Sequence, residues 1–262
     1  MRFAELNNKR ILANPLEKNA ICPLCKTNVI AKCGEIKIWH WAHKNNCECD
    51  SFGEPETEWH LNWKNCFPKE CQEIIIENHR ADIKINDIVI EFQNSQISQE
   101  KIKEREIFYN KLKWVLNGET FAKNLNLFKH KIYYKFKWKW MPKSWLISWK
   151  PIYIDLSFLK FKLKKEIEEY ENGKKHYSET IEISYEWEDD YGNIRESDFP
   201  IRKKNYFEDT ESHLKHLNEK YNDLLSKDIF LIKKLSNNGT GWGRLISKEI
   251  FIKECQDGHY RD

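Results

Sequence analysis

No stretch of this sequence approaches the roughly 18 consecutive apolar residues of a membrane span, and the opening "MRFAELNNKRILANP" has no apolar run of signal-peptide length. Both absences argue against a membrane protein or a membrane partner and lead us to expect a cytoplasmic one. Internal repeats and Gly/Ser-rich or Pro-rich linkers are missing too, which argues against repeat arrays and loosely tethered modules. A dominant charge is also lacking. With 44 basic against 41 acidic residues the net charge is +3, so contact with a polyanion must depend on local distribution. What is present is 262 residues, 40% hydrophobic and 14% aromatic. That excludes a disordered chain and suffices for one large domain or two small ones with a real core.

Eight cysteines in a chain expected to be cytoplasmic read as thiols or metal ligands before disulfides. All but one fall between residues 22 and 71. "CPLC" and "HWAH" supply Cys22 and Cys25, then His40 and His43. Two thiolates and two imidazoles suit tetrahedral Zn²⁺. The histidine spacing is shorter than the usual three to five residues, and Cys33, Cys47 and Cys49 are alternatives for the fourth ligand. A closed site of this kind is structural, so residues 1–50 are expected to form a zinc-binding module.

Residues 51–160 read as a core and 161–262 as a charged C-terminal extension, one that could complete the core. A helix is predicted from Glu56 to Asn65, opened by Pro55. "ADIKI" and "IVIEFQ" read as strands joined by an Asn86-Asp87 turn. Ser98 is predicted to cap a helix running to about Leu116, with Ile102, Arg105, Tyr109 and Leu112 on one face. Helix, strand, strand, helix is an α+β order. In "YYKFKWKW", Lys135, Lys137 and Lys139 fall on one strand face and Tyr134, Phe136, Trp138 and Trp140 on the other. That is either a sheet edge with an aromatic core face or a stripe that tracks phosphates, extended by Lys129, Lys131, Lys143 and Lys150. A helix is expected around 210–226, and the acidic run from Glu186 through Glu188 to Asp189 and Asp190 reads as solvated or as a docking surface for a partner protein.

The hairpin carries the chemistry. A two-residue turn at Asn86-Asp87 pairs Ile85 with Ile88 and brings Asp82 opposite Glu91, on one face of the sheet. Two such charges about 5 Å apart repel by roughly 3 kcal/mol at an effective dielectric near 20. Either solvent, Lys84 and Arg80 screen them, or a divalent cation such as Mg²⁺ or Mn²⁺ lies between. Gln93 shares that face and falls opposite Arg80, adding an amide to orient water and a guanidinium suited to phosphate. In "ETEWHLNWK", Glu56, His60 and Lys64 are spaced four apart; they form either a surface pairing or an addition to the acidic site, with Glu58 the alternative if the helix starts later.

The segments "RADI…VIEFQNSQIS…KEREIFY…WVLNG" resemble the competence protein CoiA family, over roughly residues 20–120. The resemblance implies a PD-(D/E)xK, restriction-endonuclease-like fold: a mixed sheet flanked by helices behind a small zinc module. It also implies a metal-dependent nuclease acting on DNA, in uptake and processing or in defence against foreign DNA. Asp82 and Glu91 then hold the catalytic metal, and Gln93 stands where the family's lysine is expected. This departure leaves two readings: glutamine orients the attacking water, or the chain is a nuclease-fold DNA-binding adaptor with weak or lost chemistry. Glu56 would add a helix glutamate to the metal site, and His60 and Lys64 would contact phosphate or replace the charge that Gln93 lacks. Arg80, Arg105, Tyr109, Lys135, Lys137 and Lys139 are the expected nucleic-acid contacts, unless Arg105 and Tyr109 orient the acids. A double-strand cut would call for two sites, hence a homodimer or a partner complex.

Overall fold

A computed structural model describes the whole chain except residues 36, 45–48, 51–55, 131, 170–174, 189–193, 200–204, 208–226 and 261–262. The expected helix at 210–226, and Cys47, Pro55, Lys131, Asp189 and Asp190, lie outside the described residues. The chain divides into two compact units, Met1–Trp114 with Glu254–Asp262, and Val115–Lys253.

The first unit opens with five antiparallel strands: β1 (Phe3–Leu6), β2 (Lys9–Leu12), β3 (Asn19–Ile21), β4 (Asn28–Lys32) and β5 (His40–His43), in the order β2-β1-β3-β4-β5. Asn7 and Asn8 turn the first hairpin at φ 51° and 60°, a left-handed conformation that asparagine tolerates. The core of this sheet is small: Ala4, Ala13, Ala20, Cys22 and Val29 around Trp41. So slight a core gains from an added cross-link.

The same unit continues through α1 (Glu58–Lys64), β6 (Gln72–Ile76), β7 (His79–Ile85), β8 (Ile88–Gln93), α2 (Gln99–Phe108) and the start of β9 (Leu112–Asn117), which runs on past Trp114 into the second unit. The strands lie in the order β6-β7-β8-β9, giving a mixed α+β architecture. Every residue of β8 and β9 is buried, as expected of strands covered on both faces. The hairpin register is the predicted one, Ile85 with Ile88 and Ile83 with Ile90, with Asn86 at φ 54°.

Two helix boundaries differ from expectation. The first helix begins at Glu58, not Glu56, because Thr57 is its N-cap: Thr57 Oγ1 accepts from the His60 backbone while His60 Nδ1 accepts from Thr57 N, a reciprocal capping arrangement. The second ends at Phe108 rather than Leu116, since Tyr109 turns to extended backbone (φ −96°, ψ 103°). "LKWVLN" then gains more from six buried strand positions than its helical spacing offers, a case of burial overriding local pattern.

In the second unit β10 (Leu125–Lys129), β11 (Tyr134–Trp138), β18 (Thr240–Ile246), β17 (Ile229–Leu235) and β12 (Ile152–Asp155) form consecutive antiparallel neighbours. Residues of the C-terminal extension thus complete this sheet. Strands β13 (Lys160–Glu169), β14 (Lys175–Glu188) and β15 (Ile194–Phe199) make a separate sheet, with β16 (Asn205–Phe207) on β14. Among the described residues no helix is long and apolar enough to cross a membrane.

Candidate active site and metal cluster

Asp82 and Glu91 meet as the register requires. Glu91 Oε1 accepts from Asp82 N at 3.3 Å, and Asp82 Oδ2 accepts from Phe92 N at 3.0 Å. Both line a small polar cavity of about 40 Å³ with Glu56, Glu73, Lys64, Arg80, Arg105, His60, Phe92 and Met1. Four carboxylates there face the Lys64, Arg80 and Arg105 side chains.

The repulsion between the paired acids is offset from the two helices. From α1, Lys64 Nζ lies 3.0 Å from Asp82 Oδ1, 3.1 Å from Glu56 Oε1 and 3.3 Å from Glu73 Oε1. From α2, Arg105 Nη1 donates to Glu91 Oε2 at 3.0 Å, both side chains under 5% exposed. Burial works against the Lys64 ammonium, but Asp82, Glu73 and Glu56 outweigh it and hold its pKa above the usual lysine value. Burial likewise opposes the Asp82 carboxylate, but Lys64 and the Phe92 N–H, among other neighbours, together leave its pKa below the usual range. Glu91 goes the other way: burial and the Asp82 charge push it up to about 8 against the pull of Arg105. Glu56 is also raised, chiefly by burial.

Glu56 reaches the cavity although it precedes the helix, as the residue just before the Thr57 cap, whereas Glu58 is exposed on the first turn. Glu73 escaped the sequence reading altogether. It lies on β6 between Gln72, opposite Ile83, and Ile74, opposite Ala81, which sets it across from Asp82. Its backbone is left-handed at φ 46°, a conformation that is rare for such a residue and typically costs about 1–3 kcal/mol. Arg2 N and Phe3 N donate to its carboxylate, and Lys64 does so at 3.3 Å. A polar residue within "QEIII", read as a third strand, was the signal available.

Three expected site residues have different surroundings from those anticipated. His60 is 3% exposed; its Nδ1 accepts from Thr57 N and its Nε2 donates to Phe92 O at 3.2 Å. It therefore ties α1 to β8 rather than presenting a nitrogen to a phosphate. Arg105 and Tyr109 are buried at 3% and 2%, with Arg105 facing Glu91 in the cavity lining. Gln93 is buried, and its Nε2 donates to Ser95 O at 3.1 Å. Arg80 lines the cavity with its backbone N donating to Asp50. Lys135 and Lys137 are exposed on β11 while Tyr134, Phe136 and Trp138 between them are buried; Lys139 is exposed just beyond.

A second cluster gathers Cys22, Cys25, His43 and Cys49, with their ligand atoms within 4.8 Å of one another. Cys49 takes the place expected for His40. His40 lies three residues before His43 on β5, and its Nδ1 is 2.8 Å from Ile38 O; along one strand residues three apart point to opposite faces. Cys22 Sγ and Cys49 Sγ are 3.8 Å apart, and His43 Nε2 is 3.2 Å from Cys25 Sγ and 3.6 Å from Cys49 Sγ. Sulfurs about 2.3 Å from one tetrahedral zinc would lie roughly 3.8 Å apart, so the donors and spacing are consistent with a structural zinc site. Burial raises the Cys25 thiol, but hydrogen bonds from Thr27, His43 and Cys22 bring it down to about 6. Burial and Cys22 push Cys49 up to about 12, a penalty that a dication would reverse. Asp50, the next residue, accepts from Arg80 N and pairs with His79 at 3.2 Å, which links the cluster to the strand that carries Asp82.

Residues 4–52 match the competence protein CoiA N-terminal domain and residues 71–180 the CoiA nuclease-like domain. No curated protein and no solved structure matches the chain. With the cysteine-histidine sheet inside the first match and the paired carboxylates inside the second, in that order, the chain belongs to the competence protein CoiA family.

Proposed function

We propose that the chain is a metal-dependent nuclease that hydrolyses phosphodiester bonds of DNA in the cytoplasm, during processing of DNA taken up or in defence against foreign DNA. The observation that carries this reading is the convergence of Glu56, Asp82 and Glu91 on one polar cavity lined by Lys64 and Arg80. Oxygen donors alone suit Mg²⁺ or Mn²⁺. A cation is already the natural occupant of this space, since the Lys64 ammonium stands within 3.3 Å of three carboxylates. Held by Asp82 and Glu91, the metal would supply Lewis acidity and a bound water of lowered pKa. Arg105 fixes the Glu91 carboxylate, Glu56 adds a third oxygen donor, and Gln93 orients water. Lys64 and Arg80 offset charge on the phosphate.

The test is nicking of supercoiled plasmid and cleavage of labelled single strands in Mg²⁺ or Mn²⁺, comparing wild type with Asp82→Ala and Glu91→Ala. Metal-dependent cleavage that is lost in both folded variants is expected. A DNA-binding adaptor without catalysis is the second reading, favoured by one observation: Lys64 already neutralises the carboxylates a metal would need, while Gln93 stands in the lysine position. DNA bound but never cut by wild type would establish it.

A further inference from the structure

The second unit carries a surface that hydrolysis does not use. The registers of β10, β11 and β18 place Phe128, Lys135 and Trp242 in one cross-strand row, and Asn126, Lys137 and Thr240 in the next. Since side chains alternate along a strand, both rows project from one face. The opposite face is core: Leu127, Tyr134, Phe136 and Trp138 are buried there. Gly241 and Gly243 leave room for the rings of Phe136 and Phe230, which a Cβ at either would strike within 3 Å.

The first face is open. Phe128 is 51% exposed and Trp242 36%, and with Tyr133, Lys135, Lys137 and Arg244 they line a groove of about 700 Å³. Tyr133 meets Trp242 edge to face, ring centroids 5.8 Å apart. The groove lining contains no carboxylate, and among the described residues no acidic side chain pairs with Lys135, Lys137 or Arg244. Exposed rings alternating with uncompensated cations call for a ligand that is both flat and anionic.

We propose that this groove binds single-stranded nucleic acid, with bases stacked on Trp242 and Phe128, Tyr133 bracing Trp242 edge to face while its own ring stacks on His130, and phosphates against Lys135, Lys137 and Arg244. A single strand presents a ring face and a charge with every nucleotide, matching both components of the surface. A duplex keeps its base faces hidden and would use the lysines alone. An acidic peptide would leave the rings exposed. The aromatic partners are thus not the β11 rings that alternate with the lysines in sequence, but residues of the flanking strands. The inference rests on the reading above only for the class of polymer.

The test is fluorescence anisotropy of the full, zinc-replete chain with labelled oligothymidylate and with a duplex of equal length, without Mg²⁺ or Mn²⁺ so that no cleavage intervenes. The single strand should bind more tightly. Trp242→Ala and Phe128→Ala should each weaken it by about 5- to 100-fold, with the far-UV circular dichroism spectrum of the folded chain retained. Three phosphate contacts predict a slope of about −2 in log K against log salt, reduced to about −0.7 in a Lys135→Ala, Lys137→Ala double variant. Equal affinity for duplex, or insensitivity to both ring variants, overturns the proposal. So does self-association in sedimentation that Trp242→Ala abolishes while oligothymidylate goes unbound, which would make the face an interface between copies. Because binding is read without Mg²⁺ or Mn²⁺, a chain that binds but does not cut leaves the groove standing and removes only the nuclease.

Discussion

Lys64 Nζ stands 3.0 Å from Asp82 Oδ1, so a helix cation is seated on one of the two opposed hairpin carboxylates. Lys64→Met would leave Glu56, Glu73 and Asp82 without it. We expect a loss of about 3–5 kcal/mol of stability, the usual result of removing one side of a buried ion pair, measured by urea denaturation of the zinc-replete chain without Mg²⁺ or Mn²⁺. Added Mg²⁺ should restore stability to the variant more than it stabilises wild type. A loss under about 1 kcal/mol, the scale of an exposed pair, would mean that water rather than Lys64 compensates the acids.

The Glu91 carboxyl makes stability depend on pH. Its folded pKa of about 8 lies above the ordinary 4.5, so the folded state holds the proton more tightly. This contribution is fully present below pH 4.5 and is lost as pH rises through about 8. Glu91→Gln keeps the shape and removes the titration. The stability difference, variant minus wild type, should therefore grow as pH is raised from the acid to the alkaline side of that window, measured by thermal melts. A difference independent of pH would show that Arg105 keeps Glu91 ionised throughout.

Zinc retention tests Cys49 against His40 as the fourth ligand. Cys49→Ala should lose bound zinc, measured by metal analysis of purified protein, while His40→Ala should retain it. Since the N-terminal sheet has a small core, chelation should also lower the melting temperature. Zinc lost from the His40 variant alone would restore the ligand set suggested by the H-x2-H spacing.

Glu56 and Glu58 are two residues apart but differently placed, one lining the cavity and the other exposed on the first turn of α1. Glu56→Gln is expected to reduce metal-dependent nicking by about 10- to 100-fold, as for groups that support a metal site; Glu58→Gln should leave it unchanged. The opposite ranking would place the helix glutamate at the site instead.

The strands, the Asn86-Asp87 turn and the facing of Asp82 and Glu91 were legible in the sequence, because strand alternation and a two-residue turn fix register locally. So was the alternation of β11, whose lysines are exposed and whose rings are buried. The end of α2 was not legible. "KLKWVLN" fits either period until burial on both faces decides for a strand. Nor was the role of His60, which depends on a Thr57 cap and a carbonyl 32 residues away.

By itself the sequence determined which chemistry is available: paired acids on a hairpin, thiolates and imidazoles near the N-terminus, and lysines interleaved with rings. Only the tertiary structure decided which groups meet. Lys64 and Arg105 reach the acids from separate helices, Glu73 arrives on β6, Cys49 displaces His40, and Trp242 joins Phe128 from strands more than a hundred residues apart. Spacing along a chain specifies neighbours only within one element. Contacts between elements follow from packing, where burial of apolar faces brings distant side chains together and forces every buried charge to find a partner.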